Sequence, residues 1–140
     1  GMVERKQGKI LNVASMAAFM PGPYMAVYFA SKAYVKSFSQ AIASELKGTG
    51  VTVTALCPGN TKTGFQREVG GENSNMARLH MLASSEYVAK AAVKALSEGK
   101  ELVVPGLINA SLAMTTRFIP SRVKTRIIRV MQELNRKKIV

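Results

Sequence analysis

Two short apolar segments on either side of a long helical segment constrain the fold most. Lys9–Ala14 is mostly apolar and Val51–Cys57 is rich in β-branched residues, so both are predicted to be buried strands. Between them, Tyr24–Leu46 has apolar residues at helical spacing, and glycines at positions 48 and 50 follow it. Strands joined by a crossover helix of this length run parallel in one sheet. The chain is therefore predicted to be an α/β protein.

The remainder of the chain continues this alternation. The predicted elements are a helix from Ser84 or Ser85 to Ser97, a strand over Glu101–Val104, and two helices over 107–119 and 121–138. The arrangement predicts about three parallel strands with helices. We interpret residues 1–140 as a single domain, in which 1–106 carry the sheet and 107–140 form a helical basic extension.

Composition excludes several kinds of site. The 140 residues include one His (His80), one Cys (Cys57) and no Asp. A zinc site needs about four ligands, and a Ser-His-Asp triad lacks its Asp. A disulfide within one chain is impossible, which favours a cytoplasmic location. We expect no metal, and we interpret Cys57 as a small buried apolar residue and His80 as a loop residue.

Tyr28 and Lys32 form the pattern Tyr-x-x-x-Lys inside the first predicted helix. Side chains four residues apart lie on one helix face. A phenol has an ordinary pKa of about 10, and a neighbouring ammonium favours the phenolate. The pattern alone is common, but Ser15 follows the first strand and residues 58–63 follow the second. Ligands of open α/β sheets bind beyond the carboxyl ends of the strands, so the three segments are predicted to share one edge.

Together these segments resemble the short-chain dehydrogenase/reductase family. The family's strand that ends in the active-site Ser resembles Lys9–Ser15 (KILNVAS). Its Tyr-x-x-x-Lys motif resembles Tyr28–Lys32 (YFASK), and its Pro-Gly-x-x-x-Thr loop resembles Leu56–Thr63 (LCPGNTKT). Residues 8–65 most resemble the branch named DltE-like. The resemblance implies the C-terminal half of a doubly wound Rossmann-type parallel sheet. The Gly-rich mononucleotide-binding half that precedes it in the family has no counterpart in the sequence.

The resemblance also implies an NAD(P)-dependent oxidoreductase that transfers hydride between the cofactor and a carbonyl or alcohol. Tyr28 would act as the general acid/base, Lys32 would favour its phenolate and bind the nicotinamide ribose, and Ser15 would polarise the substrate carbonyl. The residues expected to contact NADP or NAD are Tyr28, Lys32, Pro58, Gly59, Thr61 and Thr63.

The absence of a Gly-rich half leaves two functions open. The chain is either the catalytic half of a reductase, weak or inactive alone, or a non-catalytic oligomeric remnant. In both cases we expect a homo-oligomer, formed through helix 24–46 or through an open sheet edge. The other expected partner is a small carbonyl or alcohol substrate, with a lipid-like molecule as one candidate.

The predicted helix over 121–138 is amphipathic. One face carries Val123, Ile127, Val130, Met131 and Leu134. From Arg117 to Val140 there are eight basic residues and one acid, so +7 of the net charge of +12 lies in this segment. The first expectation is that the apolar face packs on the protein body. The alternatives are peripheral contact with an acidic membrane surface and non-specific phosphate binding, and no pattern indicates a specific nucleic-acid site.

Overall fold

The structure, a computed structural model, describes residues 1–62 and 83–136 of the chain. Its strands are β1 (Gly8–Val13), β2 (Val51–Leu56), β3 (Thr61–Lys62), β4 (Ala83–Ser84) and β5 (Leu102–Val103). Its helices are α1 (Ala26–Glu45), α2 (Ser85–Ser97), α3 (Leu107–Thr115) and α4 (Ser121–Arg136). No helix in the described ranges has the length and apolar character needed to span a bilayer.

A three-stranded parallel sheet with the order β1-β2-β5 lies at the centre of the fold. β1 and β2 pair over their full length, from Gly8 beside Val51 to Val13 beside Leu56. β5 pairs with the carboxyl end of β2. In the described part of the chain, β1 therefore forms one edge of this sheet. The short pair of β3 and β4 was not predicted.

The core lies on β2 and against α2. Every residue of β2 except Thr52 is buried, because α1 and α2 both pack on this strand. Leu56 packs with Val88 and Ala92 of α2 in one apolar cluster. The Ser84 hydroxyl accepts a hydrogen bond from the backbone N–H of Tyr87, which identifies Ser84 as the residue that caps α2.

Helix α1 begins at Ala26, so the predicted start at Tyr24 is wrong by two residues. Tyr24 has a φ of 66°, which lies outside the right-handed helical region. The C-terminal end agrees with the prediction, since Gly48 and Gly50 both have a φ of 80°. A side chain at Gly50 would also collide with the carbonyl oxygen of Lys6, so this turn requires glycine.

The apolar face of α4 does not pack on the protein body, so the first expectation for this helix is wrong. The five residues of this face, Val123, Ile127, Val130, Met131 and Leu134, are between 42% and 53% exposed. The outer face of α1 is also apolar and open to solvent, with Val27, Tyr34 and Phe38 exposed. Both surfaces therefore present apolar side chains that the fold leaves uncovered.

Candidate active site

Tyr28 and Lys32 lie on one face of α1 and are both half-buried. The Nζ atom of Lys32 is 5.9 Å from the centre of the Tyr28 ring. The next residue, Phe29, packs edge-on against Tyr28 with ring centres 5.9 Å apart. The helical spacing of four residues places the ammonium beside the phenol, as the sequence predicted.

Two hydrogen bonds join this part of α1 to β1. Lys32 Nζ donates to the carbonyl oxygen of Val13 at 3.1 Å. One strand residue earlier, Asn12 Nδ2 donates to Ser39 Oγ at 2.9 Å, and Ser39 Oγ donates to the carbonyl oxygen of Val35 at 2.6 Å. Because Ser39 is fully buried, this second contact is shielded from water. The helix that carries Tyr28 is thus held in register with the strand that precedes Ser15.

Ser15 caps a single turn of 3-10 helix over Met16–Phe19. Its backbone is extended, and its Oγ accepts a hydrogen bond from the backbone N–H of Ala17 at 3.1 Å. The hydroxyl therefore acts as an acceptor in this bond, and its own proton is not used in it. Serine suits this position because its short side chain can satisfy a backbone N–H at the start of the turn.

The loop after β2 lies beside the segment that holds Ser15. The N–H of Met16 donates to the carbonyl oxygen of Pro58 at 2.9 Å. Within the loop, Thr61 Oγ1 donates to the carbonyl oxygen of Gly59 at 3.1 Å. The carboxyl ends of β1 and β2 therefore form one edge with Ser15 and the Pro58 loop on it, as expected for a parallel sheet. Thr63 and His80, which were also singled out in the sequence, lie outside the described residues.

Asn109 of α3 is a neighbour of this loop that sequence reasoning missed. A Cβ atom added to Gly59 would lie 2.5 Å from Asn109 Nδ2, so any other residue at position 59 would require the Asn109 side chain to move. Asn109 Nδ2 in turn donates to the carbonyl oxygen of Pro105 at 3.0 Å. No local pattern links positions 59 and 109, and the contact depends on how α3 packs after β5.

The contact between Gly22 and Phe29 was missed as well. Gly22 is buried in the turn before α1, and a side chain there would overlap the aromatic ring of Phe29. Phe29 is the direct neighbour of Tyr28 and packs against it. The Pro-Gly-Pro turn at 21–23 was the available signal, because a glycine between two prolines often marks a close backbone approach.

Cys57 lies at the end of β2 and is completely buried. Burial raises the pKa of the Cys57 thiol, and the backbone N–H of Ser15 and the charge of Lys36 oppose this rise. The thiol therefore stays protonated at neutral pH, which agrees with its interpretation as a small apolar residue. Across residues 1–62 and 83–136, no group of three or more His, Cys, Asp or Glu side chains lies close enough together to hold a metal ion.

This edge of the sheet offers three kinds of polar group: the phenol of Tyr28, the ammonium of Lys32 and the hydroxyl of Ser15. A phenol beside an ammonium can give and take a proton, and a hydroxyl can donate a hydrogen bond to a carbonyl oxygen. The arrangement suits proton transfer to or from an oxygen atom of a bound molecule.

Comparison with known proteins gives a consistent result. A family model described as short chain dehydrogenase matches residues 1–74. The chain is 32% identical over 125 residues to 2-(S)-hydroxypropyl-CoM dehydrogenase 3 of Xanthobacter autotrophicus, a match that covers 82% of this chain and 49% of that protein.

Two solved structures show the same fold. The first, from work on 7beta-hydroxysteroid dehydrogenase stereoselectivity, has a TM-score of 0.75 and 25% identity, and the match covers 91% of this chain and 49% of that one. The second, a short chain dehydrogenase from Burkholderia cenocepacia in complex with NADP, has a TM-score of 0.65 and 25% identity. That match covers 81% of this chain and 45% of the other.

The fold and the sheet edge define an α/β protein of Rossmann type with polar residues beyond the carboxyl ends of its parallel strands. The chain belongs to the short-chain dehydrogenase family. It spans about half the length of the relatives described above.

Proposed function

We propose that this chain supplies the proton-transfer and nicotinamide-binding residues of an NAD(P)-dependent oxidoreductase that acts on a carbonyl or an alcohol. The observation that carries the proposal is the position of Lys32. Its Nζ lies 5.9 Å from the ring of Tyr28 and donates to the carbonyl oxygen of Val13, two residues before Ser15. Membership of the short-chain dehydrogenase family supports the same proposed activity.

In the direction of reduction, the Tyr28 hydroxyl donates its proton to the carbonyl oxygen of the substrate. The Lys32 ammonium stabilises the phenolate that remains, because an opposite charge nearby favours the ionised form. Ser15 donates a hydrogen bond to the same substrate oxygen, which polarises the carbonyl and orients it. The nicotinamide cofactor, when bound, supplies or accepts the hydride.

The described residues fit the nicotinamide end of such a cofactor by the chemistry of their donors. Ribose hydroxyls need hydrogen-bonding groups, and the Lys32 ammonium has three N–H donors, of which one is directed at Val13. The residues that would hold this end are Tyr28, Lys32, Pro58, Gly59 and Thr61, together with Thr63, which lies outside the described residues. The solved relative from Burkholderia cenocepacia is a complex with NADP, which supports NADP or NAD as the cofactor.

The finer assignments are part of the same proposal. We propose that the chain belongs to the DltE-like branch and acts in the cytoplasm. Its proposed substrate is a small carbonyl or alcohol, with a lipid-like molecule as one candidate. The relative from Xanthobacter is by name a dehydrogenase of a hydroxypropyl compound, which supports a substrate with a hydroxyl group on a short carbon chain.

A homo-oligomer is also proposed, through the outer face of α1 or the β1 edge. Val27 of α1 is 84% exposed, and Tyr34 and Phe38 extend this apolar surface along the helix. Light scattering of the purified chain should show a dimer or a larger assembly. A monomer at moderate concentration would contradict this part of the proposal.

The test is a fluorescence titration of NADPH and of NADH against the purified chain. We expect saturable binding that weakens about tenfold in Lys32→Ala, since an ion-assisted contact is worth about 1.5 kcal/mol. Tyr28→Phe should weaken nucleotide binding less than Lys32→Ala does and should abolish turnover of any carbonyl substrate the chain reduces, because the ring remains and the proton donor is lost. Lys90→Ala and Tyr87→Phe on α2 are the matched controls and should leave both properties unchanged.

The opposite result distinguishes the two functions left open by the sequence. If neither nucleotide binds at millimolar concentration, the proposal fails for this chain and a non-catalytic oligomeric role takes its place. Equal weakening by Lys90→Ala would contradict the assignment of Lys32 as a contact residue.

A further inference from the structure

Helix α4 presents most of its apolar side chains to solvent, whereas polar side chains of the same helix contact the protein. We call the exposed residues Val123, Ile127, Val130, Met131 and Leu134 the α4 apolar face. On the inner side, Glu133 Oε1 accepts a hydrogen bond from the Tyr24 hydroxyl at 2.6 Å, and Gln132 Nε2 lies 3.5 Å from Met25 Sδ. A surface helix ordinarily has the reverse orientation, so the α4 apolar face needs a partner outside the described chain.

Positive charge borders this face. Arg122 and Arg126 line the same shallow surface groove as Val123, Ile127, Val130 and Met131. Glu133 is the one acid between positions 117 and 140, and Arg129 Nε contacts its Oε1 at 2.9 Å. The surface therefore combines apolar side chains with arginines whose charge is not balanced by acids on the same helix.

The segment before α4 adds to this apolar character. Phe118 is 85% exposed and lies three residues before Ser121, the first residue of α4. Met114, at the end of α3, is also exposed. Aromatic and aliphatic side chains beside basic ones are typical of helices that lie in the interface of a membrane.

We propose that the α4 apolar face docks on an anionic lipid bilayer, with α4 lying in the plane of the membrane surface. Its 16 residues give a helix about 24 Å long, which lies along the surface and not across the bilayer. The apolar side chains enter the boundary between headgroups and acyl chains. The arginines reach lipid phosphates through their long aliphatic stems.

Charge disfavours a second copy of the chain as the occupant. Pairing two α4 apolar faces would enclose Arg122 and Arg126 of both copies in the interface, where Glu133, already bonded to Arg129, is the one acid that each helix offers. A nucleic acid would use the arginines but would leave the aliphatic residues exposed to water. An anionic bilayer is complementary to both parts of the surface.

The test is co-flotation of the full chain with two kinds of vesicle, pure phosphatidylcholine and phosphatidylcholine containing phosphatidylglycerol. We expect binding to the anionic vesicles, weaker binding at high salt, and little binding to the neutral ones. The double variant Ile127→Glu/Val130→Glu should lower the bound fraction about tenfold, because it places carboxylates in the apolar layer. The matched control is Val93→Glu on α2, where the valine is 64% exposed, and it should bind like the original chain.

A second pair of variants tests the charges without altering the apolar residues. Arg122→Gln/Arg126→Gln should weaken binding to anionic vesicles, whereas Lys90→Gln/Lys94→Gln on α2 should not. Circular dichroism of each variant checks that helix content is retained. Equal binding to both vesicles, or equal loss with the α2 variants, would overturn the proposal. Absence of vesicle binding together with a dimer that Ile127→Glu/Val130→Glu dissociates would identify the face as a subunit interface instead.

Discussion

Lys32 on α1 donates a hydrogen bond from Nζ to the carbonyl oxygen of Val13, the last residue of β1, at 3.1 Å. The bond places the ammonium at the carboxyl edge of the sheet and orients it between the helix and the strand. An otherwise mobile side chain is thereby held beside the ring of Tyr28. This single contact links the helix that carries the phenol to the strand that leads to Ser15.

Replacing Lys32 with Met should therefore lower stability as well as function. Lys32→Met keeps the long stem and removes a charge-assisted hydrogen bond, which should cost about 1.5 kcal/mol of unfolding free energy. The control is Lys47→Met, whose exposed ion pair with Glu101 at 3.6 Å should be worth about 0.5 kcal/mol or less. Urea denaturation followed by circular dichroism measures both variants. Equal losses would show that the Val13 contact does not hold α1.

Gly22→Ala should destabilise the start of α1. The new methyl group would overlap the ring of Phe29, and overpacking of this kind costs about 1–3 kcal/mol. Phe29→Ala removes the obstacle, so the double variant should be less unstable than the sum of the single changes. The unfolding free energies of the original chain, the two single variants and the double variant form a double-mutant cycle that measures this coupling. Simple additivity would mean that Gly22 is required for another reason.

Ser39→Ala should measure how much the hydrogen bond between Asn12 and Ser39 contributes to the free energy of unfolding. The change leaves Asn12 Nδ2 without its Ser39 acceptor in a half-buried position, which should cost about 1–3 kcal/mol. Thr125→Ala is a matched control. The Thr125 hydroxyl donates to the carbonyl oxygen of Ser121, four residues earlier, just as the Ser39 hydroxyl donates to that of Val35. The Thr125 bond, however, is exposed to solvent. The control should change stability by about 0.5 kcal/mol or less. A similar effect of both substitutions would contradict a specific role for the Asn12 contact.

The thiol of Cys57 should be protected in the folded chain. Because the sequence has a single cysteine, a thiol reagent reports on this residue alone. We expect slow reaction in the native protein and rapid stoichiometric reaction in urea, since the side chain is fully buried. Rapid reaction without denaturant would show that the end of β2 opens readily.

The same thiol should make stability depend on alkaline pH. Burial raises the folded pKa of Cys57 above its ordinary value of 9.0, so the unfolded chain loses this proton first. The thiol's contribution is complete below pH 9.0 and declines as the pH rises towards the folded pKa. The difference in unfolding free energy between the original chain and Cys57→Ala should therefore shrink above that pH. A constant difference would contradict the raised pKa.

Much of the fold follows from local patterns. The strands at 8–13 and 51–56 were predicted within one residue at either end, because β-branched and apolar runs bounded by turn residues identify strands. The parallel sheet followed from the helix between them. The pair β3 and β4 was not predicted, since two-residue strands carry no periodicity and their pairing joins segments on either side of residues 63–82.

In the candidate site, too, some contacts follow from local sequence patterns and others depend on packing between distant segments. Tyr28 and Lys32 could be paired from the sequence because four residues of helix bring two side chains together without help from the rest of the chain. The contact of Gly59 with Asn109 and that of Lys32 with Val13 could not, because they depend on how helices pack on the sheet. Tyr24 is a further case, since its left-handed backbone accompanies a hydrogen bond to Glu133, 109 residues away.

The sequence by itself determined the alternation of strands and helices, the shared face of Tyr28 and Lys32, and the amphipathic character of the segment at 121–138. These properties depend on residue type and on spacing along the chain. Only the tertiary structure decided that Lys32 reaches the carbonyl of Val13 and that the apolar side of α4 points to solvent. Periodicity identifies which residues share a face, but the neighbour of that face is set by packing between residues far apart in the chain.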